Sequence, residues 1–209
     1  ITHASFGGLG IALYTGVNPL GGALIFAILS ALGIEWASTN GKIREDSAIG
    51  IVWSIGMAIG ALFMSLTPGY TSGDLSSYMF GSIITVTSSD VTAMGILAIF
   101  CIIGTMLLWR SIMYTAFDRD FSSSQGIATR IDTRVVSYLM SIVIAVAIVM
   151  AIRIMGIVLL LSLFTIPAVA ANSLTKSYAS ISFWAAIIAT FSAVVGLVAS
   201  YNLEIPPGT

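Results

Sequence analysis

A single imidazole is the first side chain in this sequence able to do chemistry. His3 lies in an apolar opening stretch, Ile1 to Val17, broken by small hydroxyl residues. Ionisable groups in apolar surroundings are costly to keep, and they mark ion pathways or proton relays. His3 therefore reads as a metal ligand or a relay or, more plainly, as a hydrogen-bonded histidine near a membrane boundary. Gly7, Gly8 and Gly10 follow and let another backbone approach closely. One histidine cannot make a His-rich metal site. Cys101, alone in the run Leu97 to Leu108, can build neither a disulfide framework nor a cysteine–zinc cluster.

Other candidate residues sit in polar runs or interrupt apolar ones. Phe117-Asp118-Arg119-Asp120-Phe121, continuing to Gly126, is the most polar run between two apolar segments. Asp118 reads as a helix start and Gly126 as its stop, with about two turns between. Such a helix is either a connector or a plug for a cytoplasmic partner's groove. Pro167 removes a backbone donor within Ile157 to Ala171 and reads as a kink, either tolerated or serving as a hinge beside a pathway. Gly56 and Gly60 form a GxxxG, read as a packing contact between helices.

The elements that must position these residues are membrane helices. The chain has 209 residues, 57% apolar and 8% charged, with mean hydropathy +1.03. A soluble domain carries about 25% charged residues. Eight basic and nine acidic side chains cannot cover an aqueous surface of this size. The net charge of −1 gives no reason to expect nucleic acid.

A bilayer span needs ~20 apolar residues. The stretches Leu20 to Ile34, Ala48 to Leu66, Val91 to Trp109, Val135 to Ile152, Ile154 to Thr175 and Ile181 to Tyr201 read as spans. Ile1 to Val17 reads as an irregular seventh. The expected fold is all-α: one transmembrane bundle over residues 1–209 with about seven spans. The chain starts without Met inside an apolar segment and ends in a loop, Glu204 to Thr209, so pieces are expected to be missing at both ends.

Basic residues orient the bundle. Lys42 and Arg44 fall in the loop Glu35 to Ser47. Arg110, Arg119, Arg130 and Arg134 fall in Arg110 to Arg134, and Lys176 follows the fifth span. Positive charge stays inside, so these loops face the cytoplasm. Thr67 to Asp90 and Asn202 to Thr209 hold no Lys or Arg and face outward; Arg153 is an exception. Asp74 to Thr87 would make ~21 Å of helix, too short to cross, and reads as a short helix on the outer face. Asp74, Asp90 and Glu204 fall on that outer side. They are either ordinary loop charge or an acidic mouth that attracts cations or docks a basic partner.

Several stretches, in order, resemble one family: the membrane-spanning permeases of ABC importers for manganese, zinc or iron. Thr2-His3-Ala4-Ser5 resembles its Ser-His-Ala/Ser run, and Asn18-Pro19-Leu20 the turn that follows. Arg44-Glu45-Asp46-Ser47-Ala48-Ile49-Gly50 is similar to the start of a family helix. Phe80-Gly81-Ser82-Ile83 with Ser89-Asp90, Phe117-Asp118 through Gly126-Ile127, and Ile166-Pro167-Ala168 complete the series. Arg119 departs from the family, where proline is common.

The resemblance implies a multi-pass protein of the bacterial plasma membrane. It implies a second permease copy, two cytoplasmic ATP-binding subunits and an extracytoplasmic metal-binding protein as partners. The partner docked by Asp74, Asp90 and Glu204 would then be that binding protein. Phe117 to Gly126 would be the coupling helix seated in the ATPase. His3 would join a carboxylate four residues upstream, before Ile1, in a pathway site. Spacing of i, i+4 places such a pair on one helix face. Mn²⁺, Zn²⁺ or Fe²⁺ would be the transported substrate, with no permanently bound cofactor. A few-ligand site suits an ion that must be released.

Three other readings compete. A permease for chelated iron or a cobalamin-like substrate would use a wider path without protein ligands to the metal. An intramembrane hydrolase would need a nucleophile with His3 as base, yet there is no G-x-S-x-G. A passive scaffold would leave the polar run at Phe117 without a purpose. There is also no G-x-x-x-x-G-K-[ST], so ATP hydrolysis would come from a separate subunit.

Overall fold

The computed structural model describes residues 1–40, 43–69, 86–117 and 133–203. Among them are six helices and no strand: α1 (Ser5–Thr15), α2 (Pro19–Asn40), α3 (Glu45–Leu66), α4 (Ser88–Phe117), α5 (Thr133–Leu174) and α6 (Tyr178–Leu203). Five stretches are long and apolar enough to cross a bilayer: Pro19–Asn40, Glu45–Leu66, Ser88–Met113, Arg134–Leu174 and Tyr178–Leu203. The all-helical expectation holds.

Local chemistry explains the first boundaries. Gly16 ends α1 in the left-handed region, at φ 72°. Its N–H donates to the Leu13 carbonyl and that of Val17 to the Ala12 carbonyl, the paired closure that glycine makes cheap. Asn18 then caps α2: its Oδ1 accepts from the N–H of Leu20 at 3.0 Å and of Gly21 at 3.3 Å. Pro19 fills the first helical position, where a missing N–H costs nothing. Glu45 and Asp46 occupy the first turn of α3, where negative charge complements the helix dipole. That start matches the one expected from the Arg44-to-Gly50 run.

Four expectations need correction. Ile1 to Val17 is not among the five candidate spans; α1 has 11 residues, about 16 Å. Glu35 does not open a loop, because α2 runs on to Asn40. Arg110 does not open one either, being inside α4. In both cases a charged residue ends an apolar window in composition without ending the helix. Finally, the break between the expected fourth and fifth spans falls at Gly156 (φ 75°, ψ 170°), within the stretch α5, and not at Arg153. That region is open almost only to glycine. Pro167, where the kink was expected, lies buried within a helical stretch.

The chain divides into two compact units. Of the described residues, one holds 1–40, 43–69, 87–117 and 133–150, and the other 86 and 151–203. In the first, α1 packs against both α2 and α3, and those two also meet. In the second, α6 has no buried residue among those described, and its apolar surface suits hydrocarbon on every side.

Candidate functional site

His3 occupies the turn that leads into α1. The Ser5 N–H donates to the Ile1 carbonyl at 2.9 Å, and that of Phe6 to the His3 carbonyl at 3.2 Å, so the backbone is already helical in character there. Buried Ser5 turns its hydroxyl onto the Thr2 carbonyl at 2.7 Å. The imidazole is half-buried, and its ring centroid lies 5.4 Å from that of Trp53, tilted by 52°. Trp53 is about 12 Å along α3 from Glu45, out of a helix length of about 33 Å. The ring is thus level with the interior of α3 and not with its end.

Glycines make this placement possible. Gly56 lies under Ala4, and a Cβ built on it would stand 2.6 Å from the Ala4 Cα. A Cβ on Gly10 would stand 2.6 Å from the Gly60 carbonyl oxygen, and one on Gly60 would collide with Phe6. On the other side, a Cβ on Gly8 would collide with the Gly22 carbonyl. The GxxxG of α3 is therefore a packing surface, as expected, and its counterparts on α1 are Gly7 and Gly10, while Gly8 serves the contact with α2. A second ring pair, Tyr14 with Phe63 at 5.4 Å, fastens the other end of α1 to α3.

Among the described residues there is no group of three or more His, Cys, Asp or Glu side chains able to hold an ion. Within that set His3 offers a single nitrogen ligand beside an aromatic wall.

The remaining candidates are scattered. Phe117 is the last residue of α4, while Asp118, Arg119, Asp120, Phe121 and Gly126 lie outside the described residues, as do Asp74 and Glu204. The expected outer-face helix, Asp74 to Thr87, lies almost wholly outside them too. Asp90 is 9% exposed, and its Oδ2 accepts from the Thr87 N–H at 3.0 Å and from the Thr87 hydroxyl at 2.7 Å. The Asp90 N–H returns a bond to the Thr87 Oγ1 at 3.3 Å. This is a reciprocal cap on the start of α4. Asp90→Ala is expected to lower stability by about 1 kcal/mol, read by thermal unfolding in detergent; unchanged stability would remove the capping role.

Sequence reasoning missed Glu35. It is 6% exposed on α2 and accepts a hydrogen bond from the Ser137 hydroxyl at 2.7 Å, with the Ser141 hydroxyl at 3.4 Å. The i, i+4 spacing of the two serines was the available signal, but such pairs are common.

The long apolar helices define a multi-pass membrane protein. The chain belongs to the ABC 3 transport family, which it matches over residues 1–209. An uncharacterized membrane protein of Synechocystis sp. is 32% identical over 209 residues, covering 100% of this chain and 72% of that protein. The manganese transport system membrane protein MntC of Listeria innocua is 30% identical over 208 residues, with 100% and 72% covered. Among solved structures, PsaBC from Streptococcus pneumoniae in complex with Fab superposes with a TM-score of 0.79 at 24% identity, over 99% of this chain and 73% of that one. That last likeness is one of fold.

Proposed function

We propose that this chain is the membrane-spanning subunit of an ATP-binding-cassette importer that moves a divalent transition-metal ion, Mn²⁺, Zn²⁺ or Fe²⁺, into the cytoplasm. The observation that carries the reading is the family match over the whole chain, joined to a histidine held level with the interior of α3. The manganese system named for the Listeria relative supports a metal substrate. The relatives' names, which include a manganese and a probable metal transport system, favour a metal ion over a chelated substrate.

In this reading the subunit pairs with a second copy and with two cytoplasmic ATPase subunits. An extracytoplasmic binding protein delivers the ion. The ends of α2 and α4 face the cytoplasm, as Lys42, Arg44 and Arg110 favour. The two parts of α5 on either side of Gly156, about 34 and 27 Å at 1.5 Å per residue, serve as separate spans. Phe117 to Gly126 seats in the ATPase, Asp74 and Glu204 lie toward the binding protein, and Pro167 flexes.

Reconstitution of the intact permease with its ATPase and binding protein tests this. Uptake of Mn²⁺, Zn²⁺ or Fe²⁺ is expected to require ATP. Asp118→Ala, chosen to remove the helix cap expected there from the sequence, worth ~1 kcal/mol, combined with Gly126→Val, should uncouple ATPase stimulation without preventing insertion. No ATP-driven uptake of any of the three ions overturns the function. Normal uptake by the double variant overturns the coupling role.

A further inference from the structure

We propose that Glu35, Ser137 and Ser141 form a polar joint through which the start of α5 sets the position of α2, and through α2 that of the His3 turn. The inference rests on the importer reading.

Glu35 is almost fully buried, so its carboxylate must be satisfied by the protein. Ser137 donates to one oxygen at 2.7 Å, and Ser141 lies 3.4 Å from the other. Serines four apart lie on one helix face. The carboxylate of α2 is therefore gripped by two successive turns of α5. Sliding or rotating either helix strips a donor from a buried anion, which is expensive. A joint of this kind holds one register until forced into another.

Its position gives it something to transmit. α5 begins at Thr133, directly after the segment that contains the expected ATPase contact. At the far end of α2, about 20 Å from Glu35 along the helix, the Gly22 backbone lies against Gly8 of α1. All of these residues belong to one compact unit. Thr39 adds a local anchor, its hydroxyl donating to the Glu35 carbonyl at 2.7 Å. Glu35 is thus a positioning residue, acting on the His3 turn through α2.

The test uses the intact complex in proteoliposomes, with Mn²⁺ uptake and ATP hydrolysis measured on the same vesicles. Glu35→Ala and the pair Ser137→Ala with Ser141→Ala are each expected to lower Mn²⁺ moved per ATP by about fivefold or more. Complex yield and hydrolysis should be retained. Joining all three changes should add nothing to either alone, because one joint is broken in each case. Glu35→Gln keeps an oxygen acceptor and should restore part of the ratio. An unchanged ratio in Glu35→Ala overturns the proposal. So does strict additivity, or a fall in uptake and hydrolysis together that follows the amount of assembled complex. A wild-type complex that moves none of Mn²⁺, Zn²⁺ and Fe²⁺ is a different failure: it removes the importer reading, and this inference with it.

Discussion

Replacing His3 with alanine in the intact permease is expected to abolish metal uptake while leaving assembly close to normal. The imidazole is the one side chain of its kind in the chain. It stands half-buried beside Trp53, level with the interior of a membrane helix. An ion crossing there must exchange its water for protein ligands, and a site with few ligands cannot lose one without leaving the ion poorly desolvated. Loss of the ring contact with Trp53 costs only about 0.5–1.5 kcal/mol, so folding should survive. Protonated imidazole cannot bind a cation, so uptake should also fall as pH drops through the histidine's titration and return as it rises. Uptake assays beside thermal unfolding in detergent separate the roles. Full transport at normal expression would remove His3 from the pathway. Loss of transport only in proportion to loss of folded protein would leave it a structural histidine.

The second large effect concerns the contact that holds α1. Gly60→Leu should reduce folded permease severely, and Gly8→Leu should do the same from the opposite side. At Gly60 a side chain would occupy the space of Phe6, and at Gly8 that of the Gly22 carbonyl. Overpacking a tight core costs about 1–3 kcal/mol, and more where backbone is the obstacle. At Gly8 the nearest obstacle is backbone, and at Gly60 the Phe6 carbonyl lies just behind the Phe6 ring, so a rotamer change alone clears neither. The comparison is Gly33→Ala or Gly95→Ala, whose Cβ would meet nothing within 4 Å among the described residues. These should be neutral or slightly stabilising, since alanine favours a helix by about 1 kcal/mol over glycine. Yield after size exclusion and the unfolding midpoint decide the matter. A Gly60→Leu protein as stable as the parent would mean that α1 does not depend on this packing.

Glu35 and Gly156 mark where a linear reading stops short. A carboxylate at the end of an apolar run looks like the beginning of a loop, because composition prices the charge and not its partners. Ser137 and Ser141, about a hundred residues later, make it affordable to bury. Gly156 follows Arg153, Ile154 and Met155 without any turn signature around it, whereas Pro167 carries an obvious one. Yet a proline can ride inside a helix whose neighbours absorb the lost bond, while a φ of 75° with ψ of 170° stops helical geometry outright.

Some features were present in the residues alone. A chain with 8% charged residues has too little polar surface for water, so its place in a membrane and its helical class follow from composition. Asn18-Pro19 and Gly16 specify their boundaries by local bonding, and the glycine spacing announced close helix contact. These properties depend on neighbours within a turn or two. Which helices meet, which charge is buried and how deep His3 lies depend on partners distant in the chain. Gly8 finds Gly22, Gly10 finds Gly60, and Glu35 finds Ser137 only once the backbones are folded together. Short-range hydrogen bonding is written in adjacent residues; burial is a property of the surroundings, and only tertiary structure supplies those.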